Sequence, residues 1–239
     1  MNAIFEKQVT ILPSIADAEG RLSVPGCFGL FMDLAAEHAE KLGCGFEAMR
    51  EKGLFWLTVR TRLCFHERPR LSENVTLRTW PEAPGRLRCL RSYQLLRGDE
   101  VLISGKTEWA VLNIQDNSLA PAAGVYPEGL AYPAESACPG VFAHIPDNFG
   151  DLAPFAAYTV RSTDIDVGGH MNNVAYIHAL AGSFSGAEWR ALPLACVDVS
   201  FRAPCFEGDA LAFRRREGKE GLEVRLSRGD SPVFFASLS

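Results

Sequence analysis

The segment 164–176 contains residue types that acid–base or nucleophilic chemistry needs. It reads Asp-Ile-Asp-Val-Gly-Gly-His-Met-Asn-Asn-Val-Ala-Tyr, with two acids, two glycines, a histidine and an asparagine pair at the start of a predicted helix. A carboxylate can activate a water molecule or attack a carbonyl carbon. Backbone N–H groups at a helix start can hold a developing oxyanion. This spacing therefore favours chemistry on a carbonyl compound.

The same segment also has a purely structural interpretation. Asn172 is a good helix N-cap, and the two glycines before it permit a tight turn. Carboxylates near a helix start stabilise the positive end of the helix. Residue types and spacing alone therefore leave the structural and the catalytic interpretation open.

The surrounding residues predict the elements that would position this segment. Apolar residues at three- and four-residue steps predict helices, and alternating runs rich in Val, Leu, Phe and Thr predict strands. The predicted elements are helices 26–42 and 172–183, and strands Leu54–Phe65, Asn74–Trp80, Leu87–Leu96, Val101–Ile114, Ala195–Arg202, Asp209–Arg216, Gly221–Ser227 and Val233–Leu238.

Matching landmarks divide these elements into two similar halves. Phe65 is followed eight residues later by Glu73, and Phe201 is followed eight residues later by Asp209. Each half then continues to an Arg-Gly-Asp turn, at 97–99 and at 228–230. The shared order predicts a tandem duplication. Each half is expected to be a long helix on a curved antiparallel sheet, which makes the fold α+β.

A proline-rich stretch separates the two halves. Six of the 14 prolines lie between Pro121 and Pro154, where Gly and Ala are also frequent. This composition predicts a connector that lies on the surface rather than a packed element. The expected organisation is therefore an N-terminal domain 1–120, a connector 121–154 and a C-terminal domain 155–239.

Composition and charge argue against several classes of protein. The chain has 239 residues, of which 47% are apolar, and a formal net charge of −5. These proportions are globular, and the mildly acidic balance argues against a nucleic-acid binder. No stretch approaches the ~18 consecutive apolar residues of a membrane span.

The cysteines and histidines indicate no metal site. The seven cysteines are irregularly spaced without a Cys-x-x-Cys pair, and the first ten residues lack the pattern of a secretory signal. We therefore expect reduced cysteines in a cytoplasmic protein. The five histidines have no recognisable metal-ligand spacing, so we predict no metal and no cofactor.

The pattern Asp-x-Asp-x-x-Gly-His-x-Asn-Asn-x-x-Tyr before a helix resembles the motif of hotdog-fold thioesterases. The tandem repeat narrows the resemblance to the acyl-acyl-carrier-protein (acyl-ACP) thioesterases of plants and bacteria, which are double-hotdog proteins. The phrases at Gly53–Trp56 and Val75–Pro81 resemble the first domain of that family. The resemblance covers nearly the whole chain.

The resemblance implies a thioester hydrolase that releases a fatty acid from acyl carrier protein. The family's catalytic Asp falls on Asp166, as base or nucleophile, and its His falls on His170. In the family the first half holds the acyl chain. This makes Phe55, Trp56 and Leu57 candidate walls of a substrate tunnel, with ordinary core packing as the alternative.

The start of the second helix is the expected oxyanion site. Its backbone N–H groups near Asn172–Val174 would hold the thioester oxygen, and the preceding glycines would shape the turn. The residues predicted to form or shape this site are Gly168, Gly169, Asn172, Asn173 and Val174.

This chain departs from the family's pattern at two positions. The family's Asn, two residues after the catalytic Asp, falls on Gly168, and its Glu after the next strand falls on Pro204. Cys205 matches a Cys found in plant members, so Pro204 and Cys205 are further candidate positions. The two departures favour an alternative, a catalytically weak acyl-binding double hotdog. The segment Asp17–Ser23 occupies the corresponding place in the first half, without a histidine or an asparagine pair.

The expected partner is acyl carrier protein, which is acidic, or else a coenzyme A thioester. Either carrier would meet basic residues, although ordinary charge scatter explains a single arginine equally well. Arginines cluster at 60, 62, 68, 70, 86, 88 and 91, and again at 214–216. A homodimer is also compatible with the sequence.

Overall fold

The protein is described by a computed structural model that covers residues 2–150 and 152–239. The chain divides into two compact units, one ending at Gly140 and the next beginning at Val141. This boundary lies inside the predicted connector 121–154. Within the described ranges, no helix is long and apolar enough to cross a membrane.

The first unit is a helix on an antiparallel sheet. The strands follow the order β1-β3-β4-β5-β2, and β6 pairs with β5. A 3-10 helix precedes the long helix α1. The elements are β1 (Phe5–Thr10), α1 (Val24–Lys41), α2 (Phe46–Glu51), β2 (Leu54–Phe65), β3 (Asn74–Pro81), β4 (Cys89–Arg97), β5 (Glu100–Asn113) and β6 (Leu119–Ala120).

Helix α1 buries the stripe that its sequence predicts. The Ser23 side chain caps the helix by accepting a hydrogen bond from Gly26 N–H at 3.0 Å. Phe31 is fully buried and stacks on Tyr93 of β4, with ring centroids 4.9 Å apart. A β-carbon at Gly105 would lie 2.8 Å from Leu63 and 3.3 Å from Phe31, so this glycine lets the helix approach the sheet.

The second unit repeats this plan. Its strands follow the order β7-β9-β10-β11-β8, which matches the order in the first unit strand for strand. The tandem duplication predicted from spacing is therefore present in the topology. The elements are β7 (Ala156–Thr159), α3 (Asn173–Gly182), α4 (Gly186–Ala191), β8 (Cys196–Phe201), β9 (Ala210–Glu217), β10 (Leu222–Arg228) and β11 (Ser231–Leu238).

Helix α3 packs on the second sheet through an aromatic cluster. Tyr176 stacks on Phe234 of β11 and meets Phe201 of β8 edge to face, with ring centroids 5.5 Å apart in both pairs. These contacts fix the helix start, where the candidate site lies.

Most of the predicted surface connector is exposed or partly exposed, but seven of its described residues are buried, so the prediction that none of it packs is wrong. Ala122, Val125, Tyr126 and Leu130 are buried in the core of the first unit, with Met49 and Cys89. Further along, Ile145 and Phe149 pack against Phe235 in the second unit. Pro and Gly prevent regular structure, but they do not prevent the apolar residues between them from being buried.

Candidate active site

The loop before α3 is fixed at its beginning by Asp164. Its Oδ2 accepts hydrogen bonds from the Tyr158 hydroxyl at 2.8 Å and from Arg161 N–H at 2.7 Å. Its carbonyl oxygen accepts from Asn172 N–H at 2.8 Å. Burial raises the pKa of Tyr158 to about 12, and the hydrogen bond to Asp164 acts in the same direction. Sequence reasoning missed this anchor because the short strand that carries Tyr158 was not predicted.

A tight turn then presents Asp166. Asp166 N–H donates to the His170 carbonyl at 3.1 Å, and Gly169 N–H donates to the Asp166 carbonyl at 3.0 Å. Gly169 has a φ of +76°, a conformation that favours glycine. Gly168 N–H donates to Asp166 Oδ1 at 2.8 Å. The turn therefore holds the carboxylate in one orientation.

The structure brings the two predicted catalytic side chains together. Asp166 Oδ1 lies 3.8 Å from His170 Nδ1. The side chains are 25% and 30% exposed, respectively, so a small molecule can reach both. A carboxylate and an imidazole at this distance can move a proton to or from a bound water molecule.

The start of α3 uses several of its N–H groups internally. Asn172 is the N-cap, and its Oδ1 accepts from Val174 N–H at 2.8 Å. Because Asn172 N–H donates to Asp164, neither Asn172 nor Val174 presents an N–H without an acceptor. The same holds for Gly168 and Gly169, which donate to Asp166. In this structure the N–H groups of these four residues serve the loop, and the prediction that the start of α3 holds the oxyanion stays a prediction.

Pro204 and Cys205 border the loop but offer no reactive group. The Cys205 carbonyl accepts a hydrogen bond from Met171 N–H at 2.7 Å. The Cys205 side chain is 0% exposed, and burial raises the pKa of its thiol. A buried thiol of raised pKa is a poor nucleophile. Pro204 is exposed and has no side-chain proton to transfer.

The first half contains the same loop with different side chains. Asp17 N–H donates to the Arg21 carbonyl at 2.7 Å, and Gly20 N–H donates to the Asp17 carbonyl at 3.0 Å. Asp17 Oδ2 accepts from Arg68 Nη1 at 2.6 Å, in a pair that is at most 17% exposed. The counterpart of Asp166 is thus neutralised by an arginine.

The hydrogen bonds align Arg68 with Pro204. Leu22 N–H donates to the Pro69 carbonyl at 2.8 Å, just as Met171 N–H donates to the Cys205 carbonyl. The residue before each acceptor is Arg68 in the first half and Pro204 in the second. Pro204 therefore occupies the position that, in the first half, carries the arginine paired with Asp17.

The three predicted tunnel residues do not share one face. Trp56 packs against the core of the first unit, and its Nε1–H donates to the Cys44 carbonyl at 2.9 Å. Successive residues of a strand point to opposite faces, so Phe55 and Leu57 lie on the other side of β2. Leu57 is exposed. Of the three, Trp56 keeps its place as a predicted tunnel wall.

Five of the ten predicted arginines pair with carboxylates. Arg60 and Arg88 both pair with Glu108, at 2.8 and 3.5 Å. In the second unit, Arg215 pairs with Glu188 at 3.0 Å. Arg68 pairs with Asp17, and Arg216 pairs with Glu223. These contacts leave less free positive charge than the sequence indicates.

The donor groups of the described residues fit no metal ion. Over residues 2–150 and 152–239, no group of three or more His, Cys, Asp or Glu side chains is placed to hold one.

Comparison with known proteins identifies the family. The family model described as "Acyl-ACP thioesterase N-terminal domain" matches residues 2–123, and "Acyl-ACP thioesterase C-terminal domain" matches residues 152–233. Together they define a double-hotdog protein of the thioesterase type. The chain belongs to the acyl-ACP thioesterase family.

Several relatives agree with this assignment. An oleoyl-acyl carrier protein thioesterase of Coriandrum sativum is 24% identical over 204 residues, which are 76% of this chain and 54% of that protein. The chain thus spans about half the length of the curated relatives it matches.

Two solved structures have the same fold. An acyl-ACP thioesterase from Bacteroides thetaiotaomicron gives a TM-score of 0.83 at 22% identity, covering 99% of this chain and 97% of that one. A 12:0-ACP thioesterase from Umbellularia californica gives 0.81 at 16% identity, covering 99% and 96%. The predicted α+β double hotdog is therefore confirmed.

Proposed function

We propose that this protein hydrolyses the thioester of acyl-acyl carrier protein to a free fatty acid and holo-acyl carrier protein. The observation that carries the proposal is the partly exposed Asp166–His170 pair at the start of α3, in a chain whose two halves match the two domains of the family. Asp17 in the first half is paired with Arg68, which supports a single catalytic loop in the second half.

In this mechanism Asp166 acts as a general base. It takes a proton from water while the water oxygen forms a bond to the thioester carbon. The C–S bond then breaks, and the thiolate of the carrier receives a proton. His170 orients the carboxylate or the water. Direct attack by Asp166, through an acyl anhydride that water then cleaves, uses the same geometry.

The developing negative charge lies at the start of α3. Since the N–H groups of Asn172 and Val174 serve the loop, we assign the main stabilisation to the positive end of the helix dipole. The acyl chain is held by the first unit, with Trp56 as a wall.

The test is thiol release from acyl-carrier-protein thioesters of graded chain length. We expect hydrolysis with a chain-length optimum, and a loss of about 10²- to 10⁴-fold in kcat for Asp166→Asn. The matched control is Asp17→Asn, which changes the corresponding carboxylate of the first half and should leave kcat of the folded protein unchanged. Equal turnover by Asp166→Asn and the unmodified protein would contradict the assignment.

The carrier is tested with matched acyl groups. We propose acyl carrier protein, with a KM that rises with salt because docking of an acidic partner is screened. A lower KM for the coenzyme A thioester would instead identify an acyl-CoA thioesterase.

The second candidate function is acyl binding without turnover. Gly168 and Pro204, which replace the family's Asn and Glu, favour it. Binding of the acyl carrier substrate with no thiol release would support this candidate against hydrolysis.

We also propose that the protein forms a homodimer, which sedimentation equilibrium would detect as twice the chain mass. We propose a cytoplasmic location, which fractionation of the source cell would test.

A further inference from the structure

Gly168 stands at the point where Asp166 and His170 approach each other. A β-carbon built at Gly168 would lie 3.0 Å from Asp166 Oδ1 and 3.1 Å from His170 Nε2. It would also lie 3.3 Å from His170 Cε1. These separations are shorter than ordinary van der Waals contact with a carbon atom. A side chain at this position would therefore push the carboxylate, the imidazole or both.

The turn itself does not require a glycine at 168. Gly168 lacks the positive φ that Gly169 has. The corresponding position in the first half is Glu19, whose N–H donates to Asp17 Oδ1 at 3.0 Å, as Gly168 N–H does to Asp166 Oδ1 at 2.8 Å. The same backbone thus carries a full side chain in the first half. What distinguishes the second half is the ring of His170, where the first half has Arg21.

We infer that Gly168 is a positioning residue whose missing side chain lets Asp166 and His170 work as a direct pair. The inference rests on the proposed function and deepens it. The family's pattern has an Asn at this position, whereas here Gly168 leaves the carboxylate and the ring 3.8 Å apart with no side chain beside them at 168. The departure at 168 therefore creates a different arrangement of the same reaction.

The reaction is then carried by the pair. Asp166 removes the proton from water as the oxygen–carbon bond forms, and the electron pair of the C–S bond leaves with the carrier thiolate. His170 restrains the carboxylate on the side that faces Gly168. Pro204 is exposed and has no ionisable group, so it cannot assist the Asp166–His170 pair.

The test is a kinetic double-mutant cycle on Gly168→Ala and His170→Ala. If Gly168 acts through the pair, Gly168→Ala lowers kcat about tenfold or more with KM within about threefold. In the His170→Ala background, Gly168→Ala lowers kcat by less than about twofold, because the imidazole that pairs with Asp166 is already absent. Additive losses in the two backgrounds would overturn the inference, since a general structural effect does not depend on His170.

Two further variants complete the design. Gly182→Ala adds the same methyl group at the end of α3, where no atom beyond the adjacent residues and the helix backbone lies within 4 Å, and should leave kcat unchanged. Gly168→Asn restores the family's residue and should lower kcat as Gly168→Ala does. A rise in kcat with Gly168→Asn would overturn the inference, because position 168 would then simply lack a useful group.

A readout independent of turnover separates this inference from the proposed function. We expect the ring ¹⁵N chemical shifts of His170 to respond to Asp166→Asn in the unmodified background and to respond less in Gly168→Ala. A protein without thioesterase activity that gives this NMR response would refute the function and retain the pair. An active protein without the response would refute the pair alone.

Discussion

His38 and Arg91 form a buried polar contact inside the first unit. His38 Nδ1 lies 3.0 Å from Arg91 Nη1, and both residues are buried. A guanidinium can only donate, so Nδ1 is the acceptor and the ring is neutral. Burial, together with the positive charges of Arg91 and Lys41, lowers the pKa of His38 to about 4.

This contact predicts a loss of stability in mild acid. The unfolded chain binds a proton at His38 near pH 6.5, whereas the folded chain does so only near pH 4. The free energy of unfolding therefore falls as the pH drops from about 6.5 to 4, by on the order of 3 kcal/mol from this residue. Urea unfolding of the unmodified protein and of His38→Gln measures the difference.

The control for this prediction is the comparison of the unmodified protein with His38→Gln at each pH. Carboxylates titrate in both proteins, so only the difference in pH dependence belongs to His38. Parallel curves for the two proteins between pH 4 and 7 would contradict the prediction.

At the scale of residues, the sequence predicted which side chains come together better than it predicted the contacts around them. The spacing of Asp166 and His170 located a pair that does come together. The acceptor of each N–H could not be predicted from the sequence, because it depends on where the Asn172 amide and the Asp164 carbonyl lie in space. Cys205 is buried and its thiol interacts with the Tyr176 hydroxyl, and spacing reveals neither.

At the scale of elements, the two long helices begin with corresponding caps. Asn172 caps α3 and Ser23 caps α1, each at the same place in the duplicated loop. Asn172→Ala and Ser23→Ala should each lower the free energy of unfolding by about 1 kcal/mol. Only Asn172→Ala should also lower kcat, because its helix starts beside Asp166. Urea unfolding and thiol release measure both; an equal fall of kcat in the two variants would refute the link.

Elements were predicted well where one face is buried. Strand β2 has the predicted bounds Leu54–Phe65, and α1 begins two residues before the predicted start. The missed strands β1 and β7 lie at sheet edges, and neither contains a buried residue. Without a buried face there is little alternation of apolar and polar residues to find.

At the scale of the whole molecule, the stretch between the halves contributes several buried apolar residues to the core. Leu130 is 7% exposed, whereas Leu119 is 41% exposed. Leu130→Ala should lower the free energy of unfolding by about 2–4 kcal/mol, and Leu119→Ala should change it by less than about 0.5 kcal/mol. Chemical denaturation of both variants measures the contrast. Equally small changes in the free energy of unfolding for both variants would contradict a core role for Leu130.

The duplication was readable from the sequence, and the packing of the connector was not. Glu73 and Asp209 were matched by spacing, and each now accepts a hydrogen bond from the arginine of an Arg-Gly-Asp turn, Arg97 or Arg228. Such contacts recur because both halves have one plan. The connector has no repeat and no period, so nothing in its spacing distinguishes a buried Tyr126 from an exposed residue.

The paired loops make this chain its own reference molecule. The backbone closes the loop at Asp17 and at Asp166 with the same hydrogen bonds, although the side chains at positions 19 and 168, 21 and 170, and 68 and 204 all differ. The same backbone therefore accommodates two different sets of side chains. Each experiment on the loop at Asp166 has a matched control at Asp17 in the same polypeptide, at the same concentration and in the same solvent.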